Sequence, residues 1–371
     1  MIPFWNFSHE YKLIKKPLFK KINNVLSKGD IFFGEELKKF EKNFSKIYNF
    51  KNVTAVGSGT DALIIALKSL GIKNGDEVIT VANTCVPTAS AIRSVGAKIK
   101  FVDVGNDYLI NPNLIEKNIN KKTKVIIPVH LFGQSCQMDK ICQIAKKYKI
   151  NVIEDCAQAQ GAKYKGKYVG SFGDLGCFSF YPTKILGAYG DGGLVVAKSK
   201  KIDEKVKRIR FYGFEKTKKN KFFNKYHSVE DGVNSRLDEI QSSILNLKLP
   251  KTNQFIRKRN SIAKIYYKEL KNTGLVLPTV NKNCLHVFHL FVVYHPSRKI
   301  IINYLEKKNF NIVIHYPLAL HKMKAFKKFY SSKLHLTEKL SKGIFSLPLY
   351  PELKKSEIKL ICKYIKYAIK F

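Results

Sequence analysis

Arginine is scarce in this sequence: only seven of the 67 basic residues are arginine, against 28 acidic residues, and the net charge is +39. Nucleic-acid readers concentrate arginine in a patch and interleave aromatics, whereas these lysines are scattered from Lys12 to Lys370. A solvated basic surface is therefore expected and a nucleic-acid partner is not. Such a field would still gather an anionic substrate such as a nucleotide diphosphate. Paired cysteines are missing too. The seven cysteines (85, 136, 142, 156, 177, 284, 362) form no CxxC pair and are odd in number, which argues for reduced thiols over a disulfide framework. No metal site is expected. No apolar run approaches the roughly 18 residues of a spanning helix, so no membrane partner is expected. The opening Ile2-Pro3-Phe4-Trp5-Asn6-Phe7 lacks a basic leader and a cleavage site, and a cytoplasmic protein is the expectation.

What is present suffices for a full core: 371 residues with 45% apolar content need no disulfide or metal staple. From about Val53 to Ala197, short β-branched runs alternate with helix-like segments, at Val53–Val56, Glu77–Val81, Ile99–Val102, Val125–Val129, Asn151–Ile153, Gly176–Phe180 and Leu194–Ala197. That rhythm predicts an α/β fold with a large, mostly parallel sheet covered by helices on both faces. Asp61 to Leu70 reads as a buried helix stopped by Gly71. Beyond Ala197 longer helices take over, with a basic, flexible loop expected over 215–225. Leu237 to Lys248, followed by Pro250, closes a first domain spanning 1–250. Residues 251–371 read as a smaller α+β domain, with a helix ending near Asn272, strands near Val287–Val293 and Ile312–Ile314, and a last helix after Pro351.

The chemistry concentrates in two segments. Val152-Ile153-Glu154-Asp155 ends a buried strand with a carboxylate at the carboxyl edge, where open α/β sheets bind ligands. Alone, such an aspartate often just caps the next turn. Downstream, Ser179-Phe180-Tyr181-Pro182-Thr183-Lys184 places a lysine in a tight turn after another strand, boxed by Pro182 and a glycine-rich stretch. A lysine held there can bond covalently to a carbonyl cofactor and then shuttle protons. Pyridoxal phosphate needs such a lysine, an acid at its ring nitrogen, and a phosphate cup. Asp155 supplies the acid. The turn Val56-Gly57-Ser58-Gly59-Thr60-Asp61-Ala62, at a helix N-terminus, supplies the cup when joined by the Ser179 hydroxyl.

These segments, with GAKIKFVDV, PVHLFGQ, the long run EDCAQAQGAKYKGKYVGSFGDLGCFSFYPTKILGAYGDGG, GVNSRLDEIQSSIL, HVFHLFVV, IHYPLALH and SLPLYPEL, make the chain resemble the DegT/DnrJ/EryC1/StrS sugar aminotransferases nearly end to end. The resemblance implies a fold-type I pyridoxal-phosphate enzyme that aminates a nucleotide-linked keto-sugar, with L-glutamate as donor. It casts Lys184 and Asp155 as catalytic, Gln158 near the ring hydroxyl, and Gly59, Thr60, Asp61 and Ser179 at the phosphate. It also implies a homodimer with shared active sites, in which Asn234 reaches the neighbouring subunit's phosphate site. Tyr181, His315, Tyr316 and His321 match the sugar-nucleotide end, and His130 reads as positional. Relatives carry an aromatic ring over the cofactor where this chain has Cys85, which gives less stacking area. The segments FYPTKILGAYGDGG and NTCVPT look more like enzymes acting at C3 of dTDP-3-keto-6-deoxyhexoses than like those acting at C4 of UDP-linked sugars. A dehydratase of the same family would carry histidine in place of Lys184.

Overall fold

The computed structural model describes residues 2–215, 227–329 and 333–369. The loop expected over 215–225 therefore lies almost wholly outside the described residues. Two helices open the chain, α1 (Phe7–Lys28) and α2 (Glu35–Tyr48), neither of them read from the sequence. Asn6 caps α1 by accepting from the His9 N–H at 3.1 Å, and Gly29 ends it at φ 74°. Strands and helices follow, alternating except between β3 and β4: β1 (Asn52–Val56), α3 (Gly59–Ser69), β2 (Glu77–Val81), α4 (Val86–Ser94), β3 (Lys98–Val102), β4 (Thr123–Ile126), α5 (Met138–Tyr148) and β5 (Asn151–Asp155). A hairpin, β6 (Lys163–Tyr164) and β7 (Lys167–Tyr168), precedes β8 (Leu175–Ser179) and β9 (Gly193–Ala197).

Seven of these strands form one sheet in the order β1-β9-β8-β5-β4-β2-β3. Only β9 runs against the rest: β8, β5, β4, β2 and β3 are joined by parallel pairings, and β1 and β8 are each antiparallel to β9. The carboxyl ends of β1, β2, β5 and β8 therefore open on the same edge. Apolar residues stack on both faces, α3 and α4 packing with Val125, Ile153 and Val195 on one side, α2 with Phe178, Phe180 and Leu194 on the other. Burying both faces explains why the strands read as near-continuous apolar runs.

Three more helices follow, α6 (Lys200–Ile209), α7 (Glu239–Lys248) and α8 (Thr252–Leu270), and α1 and α2 both lie against α7. The remainder holds β10 (Cys284–Leu285), β11 (Phe291–Tyr294), α9 (Arg298–Lys307), α10 (His335–Gly343), β12 (Ile344–Leu347) and α11 (Lys355–Ile369). β10 joins the β6–β7 hairpin, and β11 pairs with β12. Two expectations need correction. The strand read at Val287–Val293 starts only at Phe291, because residues 287–290 are spent on another partner: the Val287 N–H donates to Gly133 O at 2.9 Å and the Leu290 N–H to Phe132 O at 3.3 Å. Ile312–Ile314 makes a single bridge, Val313 to Ser346, not a strand. The N-terminal segment is fastened at the far end of the chain, Ile2 exchanging hydrogen bonds with Asn309 O (3.0 Å) and the Asn311 N–H (3.1 Å).

Candidate active site

Strand β5 delivers two neighbouring carboxylates to opposite faces, as strand alternation requires. The buried Glu154 carboxylate accepts from the N–H groups of Gly170 (2.9 Å), Phe172 (2.7 Å) and Gly173 (2.8 Å). His130 Nε2 lies 3.0 Å from it. His130 Nδ1 accepts from the Cys136 N–H at 3.0 Å, which leaves the ring proton on Nε2, donating to Glu154. His130 is thus positional, as expected, and Glu154, which the sequence reading passed over, is what it positions. Cys156 adds a ligand atom within 4.8 Å of both, but donors already saturate this group.

Asp155 is equally buried and far less saturated. Its Oδ1 accepts from the Ala157 N–H at 3.1 Å and its Oδ2 from the Thr88 hydroxyl at 2.9 Å. Burial pushes its carboxyl above the ordinary aspartate value, opposed by those two hydrogen bonds and by the charge of Lys184. Thr88, which holds this carboxylate, was not singled out in the sequence, although it stands in the same NTCVPT segment that singled out Cys85.

Lys184 sits in a turn that only glycine permits. Its N–H donates to Tyr181 O at 2.8 Å, and a Cβ on Gly187 would lie 2.1 Å from Pro182 O. The Gln160 side chain braces the turn, accepting from the Leu186 N–H at 2.9 Å and donating to Ser179 O at 3.1 Å. Burial lowers the Lys184 ammonium, and the Cys85 thiol and Asp155 carboxylate pull the other way. The amine therefore lies within electrostatic reach of Asp155.

Beside the lysine turn is the N-terminus of α3. Ser58 caps it, accepting from the Asp61 N–H at 3.1 Å, and the Gly59 and Thr60 N–H groups have no intrahelical acceptor by position. A Cβ on Gly59 would stand 2.5 Å from Ser179 Cβ. The missing side chain thus brings the Ser179 hydroxyl against the helix end, a cradle suited to a phosphate. Asp61 enters differently from expectation. Its carboxylate accepts from the Ser235 hydroxyl (2.8 Å), and Ser235 Oγ accepts from the Gly57 N–H (2.8 Å). A carboxylate offers an anion no donor, so Asp61 fastens the loop rather than meeting a phosphate through its side chain. Next to Ser235, Asn234 is exposed and held through its backbone against Phe211.

The remaining expected residues divide. Gln158 accepts from the Phe132 N–H at 2.8 Å and donates to the Tyr316 hydroxyl at 2.9 Å. Cys85, at the start of α4, lies against that same hydroxyl, so Gln158, Tyr316 and Cys85 meet at one point. His315 Nδ1 is 2.8 Å from Ser346 Oγ, and burial with the nearby Lys184 charge pulls the imidazole down to about 4. Tyr181 is 53% exposed at the rim. His321 does not join them. Its ring is packed beside Phe101, its Nε2 is 3.1 Å from Glu338 Oε1, and at 1% exposure it has no surface left for a substrate.

Lysine, buried acid and a glycine-lined helix end facing a hydroxyl are the fittings pyridoxal phosphate requires, and these residues fit it. The comparisons agree. The DegT/DnrJ/EryC1/StrS aminotransferase family matches residues 12–366. The dTDP-3-amino-3,4,6-trideoxy-alpha-D-glucose transaminase of Micromonospora megalomicea subsp. nigra is 38% identical, over 94% of each chain. The dTDP-3-amino-3,6-dideoxy-alpha-D-galactopyranose transaminase of Aneurinibacillus thermoaerophilus is 39% identical, over 98% of this chain and 99% of its own. Among solved structures, DesV of S. venezuelae in complex with a ketimine intermediate superposes with a TM-score of 0.94 at 31% identity, over 100% and 99% of the two chains. Among the described residues no helix is long and apolar enough to cross a membrane.

Proposed function

Since the chain belongs to the DegT/DnrJ/EryC1/StrS aminotransferase family and is a sugar-nucleotide transaminase dependent on pyridoxal phosphate, we propose that it moves an amino group from L-glutamate to C3 of a dTDP-3-keto-6-deoxyhexose. The observation that carries the site assignment is the convergence of Lys184, Asp155 and the Gly59–Ser179 cradle on one sheet edge. When bound, pyridoxal phosphate supplies an electrophilic carbon and an electron-accepting ring. The chain's residues supply the rest. The lowered ammonium of Lys184 lets it take a proton from the donor's α-carbon and return one to the sugar carbon near neutral pH. Asp155 holds a proton at the ring nitrogen. The N–H groups of Gly59 and Thr60 and the Ser179 hydroxyl hold the phosphate. Gln158, tied to Phe132 and Tyr316, borders the ring hydroxyl. Tyr181, His315 and Tyr316 face the sugar-nucleotide, and the lysine surplus favours its negative phosphates.

The position is supported by the names of the two relatives, each of which puts the nitrogen at carbon 3 of a dTDP-sugar. Incubating the pure enzyme with glutamate and a panel of dTDP- and UDP-keto-sugars, and locating the new amine by NMR, tests it. An amine at C4 of a UDP-sugar would replace this reading. Lys184→Ala is expected to abolish both turnover and the visible absorbance of the bound cofactor while keeping the fold, as circular dichroism would show.

The same reading makes the enzyme a cytoplasmic homodimer whose sites are shared, the exposed Asn234 of one chain completing the partner's phosphate cup. Mixing inactive Lys184→Ala and Asn234→Asp proteins under subunit exchange should restore about half of the wild-type activity per mixed dimer, because one site then carries both lesions and the other neither. No recovery despite exchange would remove Asn234 from the partner's site. We further place the division between the cofactor domain and the smaller domain at residue 250, since one apolar cluster is built mainly from residues 262–368.

A further inference from the structure

The segment 233–236 is tied to the phosphate cradle through one residue and open to solvent at the next. Ser235 is 2% exposed. Its hydroxyl accepts from the Gly57 N–H and donates to Asp61 Oδ2, both at 2.8 Å, so one side chain pins the entry to α3 at two points. The fit is close: a Cβ on Gly57 would stand 3.0 Å from Asp61 Oδ2 and 3.3 Å from Ser235 Oγ. Asn234, immediately before it, is exposed.

The backbone of the segment is fastened to the same place by a second route. The Val233 N–H donates to Ile209 O at 2.7 Å, the Ser235 N–H to Arg210 O at 2.9 Å, and the Tyr212 N–H to Val233 O at 3.0 Å, so residues 233–235 pair with 209–212. Arg210, 8% exposed, then returns to the cradle: its Nη1 donates to Ala55 O at 2.7 Å and to Glu41 Oε1 at 2.9 Å, and that oxygen also accepts from the Ala55 N–H at 2.9 Å. The segment is therefore anchored at Ala55, Gly57 and Asp61, along the whole turn from β1 into α3. Successive side chains of an extended segment point to opposite sides. Ser235 faces its own chain's cradle and Asn234 faces outward.

We propose that Ser235 is a positioning residue for two phosphate sites at once: its hydroxyl shapes the cradle of its own chain, and its anchorage sets the backbone that carries Asn234 into the partner's cradle. The inference rests on the reading that Asn234 is shared. A donor set in advance loses less freedom on binding than one carried by a loose segment, so releasing the anchor in one chain weakens the phosphate held by the other.

The test uses full-length mixed dimers in which one chain carries Lys184→Ala, so that the visible absorbance of bound pyridoxal phosphate reports the site of the other chain alone. Placing Ser235→Ala beside Lys184→Ala in the silent chain leaves the reporting chain wild type. It should nevertheless raise the pyridoxal phosphate concentration at half saturation about tenfold, the scale of one hydrogen bond to a charged group. Ser235→Ala in the reporting chain should raise it about as much, through Gly57. Ser235→Thr keeps the hydroxyl and should restore both values. Unchanged half saturation with the lesion in the silent chain would overturn the proposal. The underlying reading fails separately: if Asn234→Ala in the silent chain is also without effect, Asn234 is not shared, whereas an effect of Asn234→Ala and none of Ser235→Ala would overturn the role of Ser235 alone. Should Ser235→Ala fail to fold, amide hydrogen exchange of the cofactor-free wild type decides: inorganic phosphate should slow exchange at Gly57 and Ser235 together, and slowing at Gly57 alone would overturn it.

Discussion

Glu154 and Asp155 are adjacent, carry the same carboxylate and are both buried, at 0% and 4% exposure, but they lie on opposite faces of β5. Four donors converge on Glu154, three of them main-chain N–H groups of residues 170–173. Only two reach Asp155, and its carboxyl is left above the ordinary value. A saturated carboxylate serves as a structural fastener and cannot easily change its partners. An under-supplied one at a strand's carboxyl edge retains capacity for a further donor, the place proposed above for the ring nitrogen of the cofactor.

Exchanging the two residues' roles by mutation is the sharpest way to break that comparison. Asp155→Asn should retain cofactor and fold but lose about 10²- to 10⁴-fold in kcat, the range of one proton-holding group. Normal kcat would place the proton holder elsewhere. Glu154→Ala should do the reverse, destabilising the fold by about 3–5 kcal/mol in denaturant titrations, because it strands three N–H groups and His130. A stability change below about 1 kcal/mol would mean water or another residue serves that turn. His130→Phe removes one of the four donors to Glu154 and strands the Cys136 N–H, and should cost about 1–3 kcal/mol.

Thr88→Val is the finest probe of the other face. The Thr88 hydrogen bond lowers the Asp155 carboxyl, so its loss should raise that carboxyl further. The sign follows: an acid whose folded value is raised favours the fold below its unfolded value, and that contribution is lost as pH rises through the folded one. In cofactor-free protein, Thr88→Val should therefore be destabilised relative to wild type by about 0.5–1.5 kcal/mol once pH has risen through the raised folded value of Asp155, and the gap should close in acid. A gap that does not depend on pH would assign the loss to packing.

Much of this was legible beforehand. The alternation of β-branched runs exposed the parallel sheet because burying both faces leaves little polar interruption, and Lys184 showed itself through the proline and glycines that force its turn. What stayed hidden was set by partners distant in sequence. Glu154 drew no reading from the sequence, because its donors, the N–H groups of residues 170, 172 and 173, come together only in the fold. Asp61 was read as a phosphate contact because its partner Ser235 lies 174 positions away. His321 belonged to a suggestive motif, but only the packing with Phe101 and Glu338 reveals that its ring is enclosed.

The hydrogen bonds joining Ile2 to Asn309 and Asn311 impose a schedule on the chain's birth. At roughly 5–20 residues per second, the leading residues wait on the order of 15–60 seconds before their partners are synthesised. Strand β1 waits as well, because its only sheet neighbour among the described residues, β9, lies some 140 residues downstream. For that interval the aromatic run Phe4-Trp5-Asn6-Phe7 travels uncovered. A ribosome stalled before residue 309 would thus present a full cofactor sheet with the Ile2 segment still unfastened.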